Sequence, residues 1–445
     1  MSKAKDDIAQ TIAKLKGDGI EFLRFELPDL HGISRSKMVP LQAVEGYARK
    51  GLNMYGGILG LDTASNVISG TGLNEEINYG DSNLFPDFSS LRRVPWKTNT
   101  AKVVCDVHFK DGSPIKAAPR HVLKSLLETA ASMGYDVMMG HEYEFYVLTR
   151  DTHEPLFGGV HIFNTTRNTW APVAEAIVRA LMGVGVDVIT HNCEYAASQF
   201  EIVYGAGIGI EAADKAFTFR NTVKEVAHLE GYLATFMSKP SATTAGSGCH
   251  FHISLIDRKT GKNAFLDPSD KDGLSAEARQ FCAGILKHAP ALMALIGPTP
   301  NCYHRIKPHT FAPSNISWGV EDRSAMVRLK TSGDDRTHIE MRAGSATSNP
   351  YLLAAALLAA GLIGLADGRP LRAQSHDRPS EENPALSRLP PSLDAALDAL
   401  EADAAMRARL GEDFVKVFVA VKRFELERFH GHITDWEKAE YLELY

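Results

Sequence analysis

Residues 134–148 read GYDVMMGHEYEFYVL, an apolar run with two acids in its middle. Val137, Met138 and Met139 lead in, and Phe145, Tyr146, Val147 and Leu148 lead out, which predicts a half-buried strand. Side chains alternate along a strand, so Glu142 and Glu144 share one face about 7 Å apart. A solvated sheet edge would tolerate the pair. A bound cation would require it, because carboxylates taken out of water need a compensating partner.

The chain around this stretch has 445 residues, room for two or three domains and a sizeable core. Hydrophobic residues make up 44% and charged residues 23%, a balance that excludes disorder. A net charge of −6 without a long basic run argues against nucleic acid as a partner. The five cysteines, Cys105, Cys193, Cys249, Cys282 and Cys302, have no C-x-x-C spacing, so free thiols in a reducing compartment are expected. The stretch MSKAKDDIAQTIAKLKGDG has no apolar core, and neither a secretory leader nor a membrane partner is expected; a cytoplasmic location follows. The longest apolar run, residues 351–366, is short for a membrane span and rich in Ala and Gly. It reads as a buried helix with Asn349 as N-cap and Pro350 in its first turn.

The pattern predicts an α+β fold with a domain boundary near residue 100. Residues 1–100 hold a helix near 5–16, the strands EFLRFELPD and SRSKMVP around the turn PDLHG, and a Pro-containing stretch that ends at 100. Residues 101–445 open with the strand AKVVCDVHF and the helix PRHVLKSLLETAASMG. Further helices are expected at 171–184 and 211–230, a Pro-rich surface excursion at 367–394, and a helical tail through Phe414, Val417, Phe418, Val421 and Phe424.

Other segments repeat the oddity of the first. HNCEYAASQFEIVYG places Glu194 and Glu201 either side of a small-residue turn, and GSGCHFHISL puts His250 and His252 on one strand face. DRTHIEMR alternates Arg336, His338, Glu340 and Arg342 against Ile339 and Met341, and DRSAMVRL carries Arg323 and Arg328. Singly, each reads as a core histidine, a cross-strand ion pair or a solvated turn. Together, five glutamates and a histidine on apolar strands fit Mg2+ or Mn2+ better than zinc, which takes fewer and softer ligands. Carboxylates beside arginines also fit phosphoryl transfer. The chain has no G-x-x-x-x-G-K-[ST], and the glycines of YGAGIGIEAADK are wrongly spaced for a dinucleotide loop.

The ordered series HEYEFY, CEYAASQFEI, GSGCHFHISL, NCYHR, DRSAMVRL, HIEMR and NPYLLAAALLAAGL resembles the successive motifs of the glutamine synthetase family. LPDLHGISRSKMVP resembles that family's β-grasp-like N-terminal domain. The resemblance implies a larger C-terminal catalytic domain, residues 101–445, whose antiparallel sheet forms an active-site funnel flanked by helices. It implies that Glu144, Glu194 and Glu201 hold one divalent ion and Glu142, His250 and Glu340 a second at the ATP phosphates, with two or three Mg2+ or Mn2+ per site. Arg305 and Arg342 would grip the glutamate carboxylate, with Arg305 also catalytic, and Gly246 would line that subsite. Arg323 and Arg328 would bind phosphate, with Arg323 catalytic, while His252, Ser254 and Arg336 would contact the nucleotide. Asp29 would act as base or cation partner from a neighbouring subunit of a dodecamer built as two hexameric rings. The implied substrates are glutamate, ATP and a nitrogen nucleophile.

Departures from the family pattern fall on the nitrogen side. Phe311 stands in NCYHRIKPHTFAP where ammonia-using members carry a glutamate before Ala-Pro, Ala245 replaces an Asn, and His338 an Arg. Tyr55 in NMYGGI stands nearest to another missing acid. An ammonium ion needs carboxylates around it, whereas an organic amine needs apolar surface. The expectation is a γ-glutamyl-amide ligase of the γ-glutamylpolyamine, γ-glutamylmethylamide or γ-glutamylanilide type, acting on a small primary amine with Phe311 as a pocket wall; glutamine synthetase itself is the alternative.

Overall fold

A computed structural model describes residues 2–159, 162–169, 171–310, 312–374 and 383–445. It has the expected α+β organisation, built on two sheets.

The first sheet takes its strands from β1 (Phe22–Pro28), β2 (Ser34–Pro40), β3 (Leu52–Tyr55), β4 (Asp81–Arg93) and β5 (Thr100–His108), in the order β2-β1-β5-β4-β3. Its centre is β5, parallel to β1 and antiparallel to β4. The change of pattern near residue 101 is therefore not the start of the larger unit. A strand buried on both faces reads as a continuous apolar run whichever sheet it joins, and Ile115, Ala117 and Ala118 still pack in this first core.

The second sheet holds β6 (Tyr135–Thr149), β7 (Val188–Cys193), β8 (Gln199–Tyr204), β9 (Gly207–Ile208), β10 (Tyr232–Thr235), β11 (Cys249–Asp257), β12 (Trp318–Val320), β13 (Val327–Lys330) and β14 (His338–Met341). Its main path runs β12-β13-β14-β11-β6-β8-β7, with β9 and β10 also on β6, and every pair is antiparallel except β12–β13. The central strand β6 alternates as its sequence predicts. His141, Tyr143 and Phe145 are buried in the core, while Glu142 and Glu144 are only half-buried on the opposite face.

Helices cover the core face. The Pro350–Ala366 helix is apolar all round and almost wholly buried, and Asn349 caps it by accepting the amides of Tyr351 at 2.9 Å and Leu352 at 3.4 Å. Its neighbour, Ala276–Lys287, approaches so closely that a Cβ on Gly284 would meet Ala360 O at 2.2 Å and one on Gly361 would meet the Phe281 ring at 2.1 Å.

The two units are pinned together by polar groups. The buried Arg120 guanidinium donates to Asp106 and Asp87 on the first sheet, each at 2.7 Å, and to Asp214 on the Ile210–Leu229 helix at 2.8 and 3.0 Å. Asn349 Nδ2 donates to Asp29 O at 2.9 Å, and Glu425 on the Glu412–His430 helix meets His31 Nε2 at 2.5 Å. All five cysteines are buried and none forms a disulfide among the described residues. Among the described residues no helix is long and apolar enough to cross a membrane.

Candidate active site

Strand register explains why the acids gather. Glu142 lies opposite His250, Glu144 opposite Glu201, and Glu340 opposite both His252 and Arg328. Period-2 alternation turns all of them to one face of neighbouring strands. That face floors a cavity of about 700 Å3 lined by Glu142, Glu144, Glu194, Glu201, His250, His252, Arg305, Arg323, Arg328, Glu340, Arg342 and Gly246.

Two electrostatic halves share this floor. In one, His250 Nδ1 lies 3.0 Å from Glu142 and 3.8 Å from Glu340, and His252 Nε2 lies 3.4 Å from Glu142. Arg342 and Arg328 reach Glu340 at 2.5 and 3.1 Å. Burial opposes the charge on Glu142, yet hydrogen bonds from the two histidines hold it well below the usual carboxylate range. Glu340 is likewise buried, and His250, His252 and Arg342 lower it to about 2.

The other half has too many acids and too few cations. Burial and Glu144 raise Glu194 to about 7, although Asn192 Nδ2 donates to it at 3.0 Å. Burial and the charges of Glu142, Glu194 and Glu144 push Glu201 up to about 10. Glu144 is steadied by the Gly248 amide at 2.7 Å. Such crowding suits a hard divalent cation, and ligand atoms of Glu142, Glu201 and His250 lie within 4.8 Å of one another. The donor set thus fits Mg2+ or Mn2+.

Beside it, Arg305 is buried and donates to the carbonyls of Gly344 and Arg342 at 3.1 and 3.3 Å. It fits because two positions carry no side chain: a Cβ on Gly246 would meet its Cγ at 2.6 Å, and one on Gly248 its Nη2 at 2.5 Å. The Nε atoms of Arg328 and Arg342 are buried with no hydrogen-bond partner among the described residues, although both guanidinium groups reach Glu340 through another nitrogen.

Two expected residues, Arg336 and Ser254, stand outside the cavity. Arg336 lies outside the cavity, exposed and paired with Asp334 at 2.7 Å, because β14 begins only at His338 and the alternation does not extend back to it. Ser254 is buried opposite Met138, about 13 Å along β6 from Glu142, beyond the cavity lining. Asp29 is buried and its carboxylate is occupied, accepting the amides of His31 and Ile33 at 2.9 Å each and Arg35 Nε at 2.8 Å. These contacts hold its own turn closed. Phe311 lies outside the described residues, although Thr310, Ala312 and Pro313 beside it line the cavity.

The structure also adds residues that the sequence reading did not single out. Gln199 donates to Gly246 O at 3.0 Å, and Glu321 pairs with Arg328 at 2.5 Å. Ile162, Phe163 and Tyr195 form an exposed apolar rim next to Glu194, with the Phe163 amide donating to Cys193 O at 3.1 Å. Gln199 and Asn192 flank the two glutamates on β8 and β7, a signal available in the sequence; the rim sits on a loop, which has no periodicity to read.

Residues 116–441 match the model of the glutamine synthetase catalytic domain. The chain belongs to the glutamine synthetase family. It is 34% identical to a glutamine synthetase of Methanocaldococcus jannaschii over 98% of both chains, and 33% identical to human lengsin over 96% of this chain and 84% of that one. It also superposes on a solved GmaS/ADP complex with a TM-score of 0.86 and 31% identity, over 97% of this chain and 99% of that chain. The family consists of ligases that use ATP, divalent metals, glutamate and ammonia or an amine, and the cavity holds the carboxylates and guanidinium groups such a reaction requires.

Proposed function

We propose that the protein joins the γ-carboxylate of L-glutamate to a small primary amine. The γ-carboxylate attacks the terminal phosphorus of ATP and expels ADP; the amine then attacks the acyl carbon of γ-glutamyl phosphate, loses a proton and releases phosphate. One observation carries the choice of amine. Every carboxylate lining the cavity among the described residues (Glu142, Glu144, Glu194, Glu201 and Glu340) belongs to the candidate cation set. None is left over to surround an ammonium ion, and the wall beside Glu194 is instead Ile162, Phe163, Tyr195 and Ala245. The likeness to GmaS supports this reading, as does Phe311 at the position of the family's glutamate.

Within this reading Glu144, Glu194 and Glu201 hold one Mg2+ or Mn2+, and Glu142, His250 and Glu340 another. Bound there, the cations neutralise the phosphate charge and let two anions approach. Arg305 and Arg342 orient the α-carboxylate of glutamate, with Gly246 leaving room for it. Arg323 and Arg328 hold the transferring phosphoryl group, while His252, second to the metal ligands, keeps Glu142 ionised. We further propose assembly as the family's dodecamer. The names of the glutamine synthetase relatives favour ammonia as a second reading.

The test is phosphate release with glutamate, ATP and Mg2+, comparing ammonium with methylamine, ethylamine, isopropylamine, ethanolamine, putrescine and aniline. An amine that exceeds ammonium by about tenfold or more in kcat/KM upholds the proposal. Ammonium as the best substrate overturns it in favour of glutamine synthetase.

A further inference from the structure

A second cavity, about 360 Å3, opens behind the strand that carries Glu142 and Glu144, between the His31 turn and the Ile210–Leu229 and Glu412–His430 helices. Its apolar walls include Ile33, Phe236, Met237, Leu295, Leu352 and Phe418. Its charged groups are all cations: Arg220, Lys224 and Lys422, beside the ring of His31. Lys422 is matched, since its ammonium donates to Glu425 at 2.8 Å. The other two are not. Arg220 donates to Ser348 O at 2.7 Å and lies over the rings of Tyr143 and Phe236, at 5.8 and 5.4 Å, but has no carboxylate partner among the described residues. Lys224, one helical turn on, is exposed at the mouth, and its side chain has neither a hydrogen bond nor an ion pair among them.

Two like charges four residues apart on a helix repel. A pair of cations without a carboxylate partner, at the edge of an apolar hollow, is complementary to one chemical class. We propose that this cavity binds a small organic acid, its carboxylate between Arg220 and Lys224 and its apolar body against Phe236, Met237, Leu352 and Phe418. The volume is at the lower end for small-molecule sites, so a monocyclic or short branched acid fits and a nucleotide does not. The site does not depend on which nitrogen donor the ligase uses.

The experiment is calorimetric titration of the assembled full-length protein, with glutamate and ADP present to fill the first cavity. The probes are benzoate, isovalerate, benzamide and benzylamine. The expected result is saturable binding of benzoate or isovalerate, with benzamide weaker by about tenfold or more and benzylamine not bound. In Lys224→Glu, whose side chain has no hydrogen bond or ion pair to lose, affinity for the acid falls by about tenfold or more while Tm does not fall and phosphate release stays as in the parent. Absence of saturable binding by both acids overturns the proposal. So does equal binding of benzamide, or unchanged affinity in Lys224→Glu, which would place the acid elsewhere.

Discussion

Glu201 sits where three other carboxylates oppose its ionisation, and burial adds to the effect. Only a cation makes that cluster favourable in its charged form, so the side chain's worth lies in ligation and not in packing. Glu201→Gln is expected to cut Mg2+-dependent phosphate release by about a hundredfold or more and to shrink the rise in Tm that Mg2+ gives the parent, read by calorimetry with and without chelator. Phe163 makes the complementary case. It is largely exposed yet lines the candidate cavity, which suits a wall covered only when an alkyl group is bound. Phe163→Ala should lower kcat/KM for the best amine by about tenfold while leaving that for ammonium within about twofold, since one small apolar contact is worth 1–3 kcal/mol. Equal losses for both would show that the ring does not touch the amine.

At the level of elements, close approach replaces side-chain contact in two places. Gly248 ends the loop before β11 and yields its space to the Arg305 guanidinium. Gly248→Ala is expected to raise KM for glutamate by about tenfold with little change in the Kd of ATP, measured by steady-state kinetics and titration. The Ala276–Lys287 and Pro350–Ala366 helices meet through Gly284, Gly361 and Gly364, and a Cβ on Gly284 would strike backbone at 2.2 Å. Gly284→Val should therefore destabilise the fold by about 3 kcal/mol or more, or prevent soluble expression, through overpacking of a core contact.

The legibility of these elements in the sequence followed their periodicity. Strands β6, β11 and β14 carry Glu142 and Glu144, His250 and His252, and His338 and Glu340 at alternate positions, so their faces are legible in the sequence alone, as is the helix begun by Asn349 and Pro350. Which sheet β5 joins could not, because a strand buried on both sides reads the same in either setting. Arg336 continues an alternation in the sequence that the backbone does not continue, since it lies in the turn closed by the Thr337 amide donating to Asp334 O at 3.0 Å, before β14 starts. The charge state of the cluster, Glu142 held low while Glu201 is pushed high, depends on cross-strand neighbours that no single segment contains.

At the scale of the whole molecule, the link between its two units responds to acid. Glu425 is buried and would otherwise titrate high, but Lys422 and His31 bring it down to about 2. A carboxyl lowered in the folded state stabilises above its unfolded value, near 4.3, and that contribution disappears as pH falls through about 2. Glu425→Gln should accordingly cost about 2–3 kcal/mol at pH 7, and the gap between variant and parent should narrow on acidification below pH 4. Denaturant unfolding at several pH values measures it; a gap that does not change with pH would assign the loss to packing.

The buried thiols give this two-part construction a clock of its own. Cys105 belongs to the smaller core, whereas Cys193, Cys249, Cys282 and Cys302 belong to the larger, and each is fully shielded. An alkylating reagent can reach them only through transient opening, so the modification rate of each cysteine peptide, followed by mass spectrometry, reports how often its surroundings breathe. The smaller core has less apolar surface to hold it shut, and Cys105 should be modified first; simultaneous modification of all five would mean that the buried arginine and its aspartates weld the two units into one opening event.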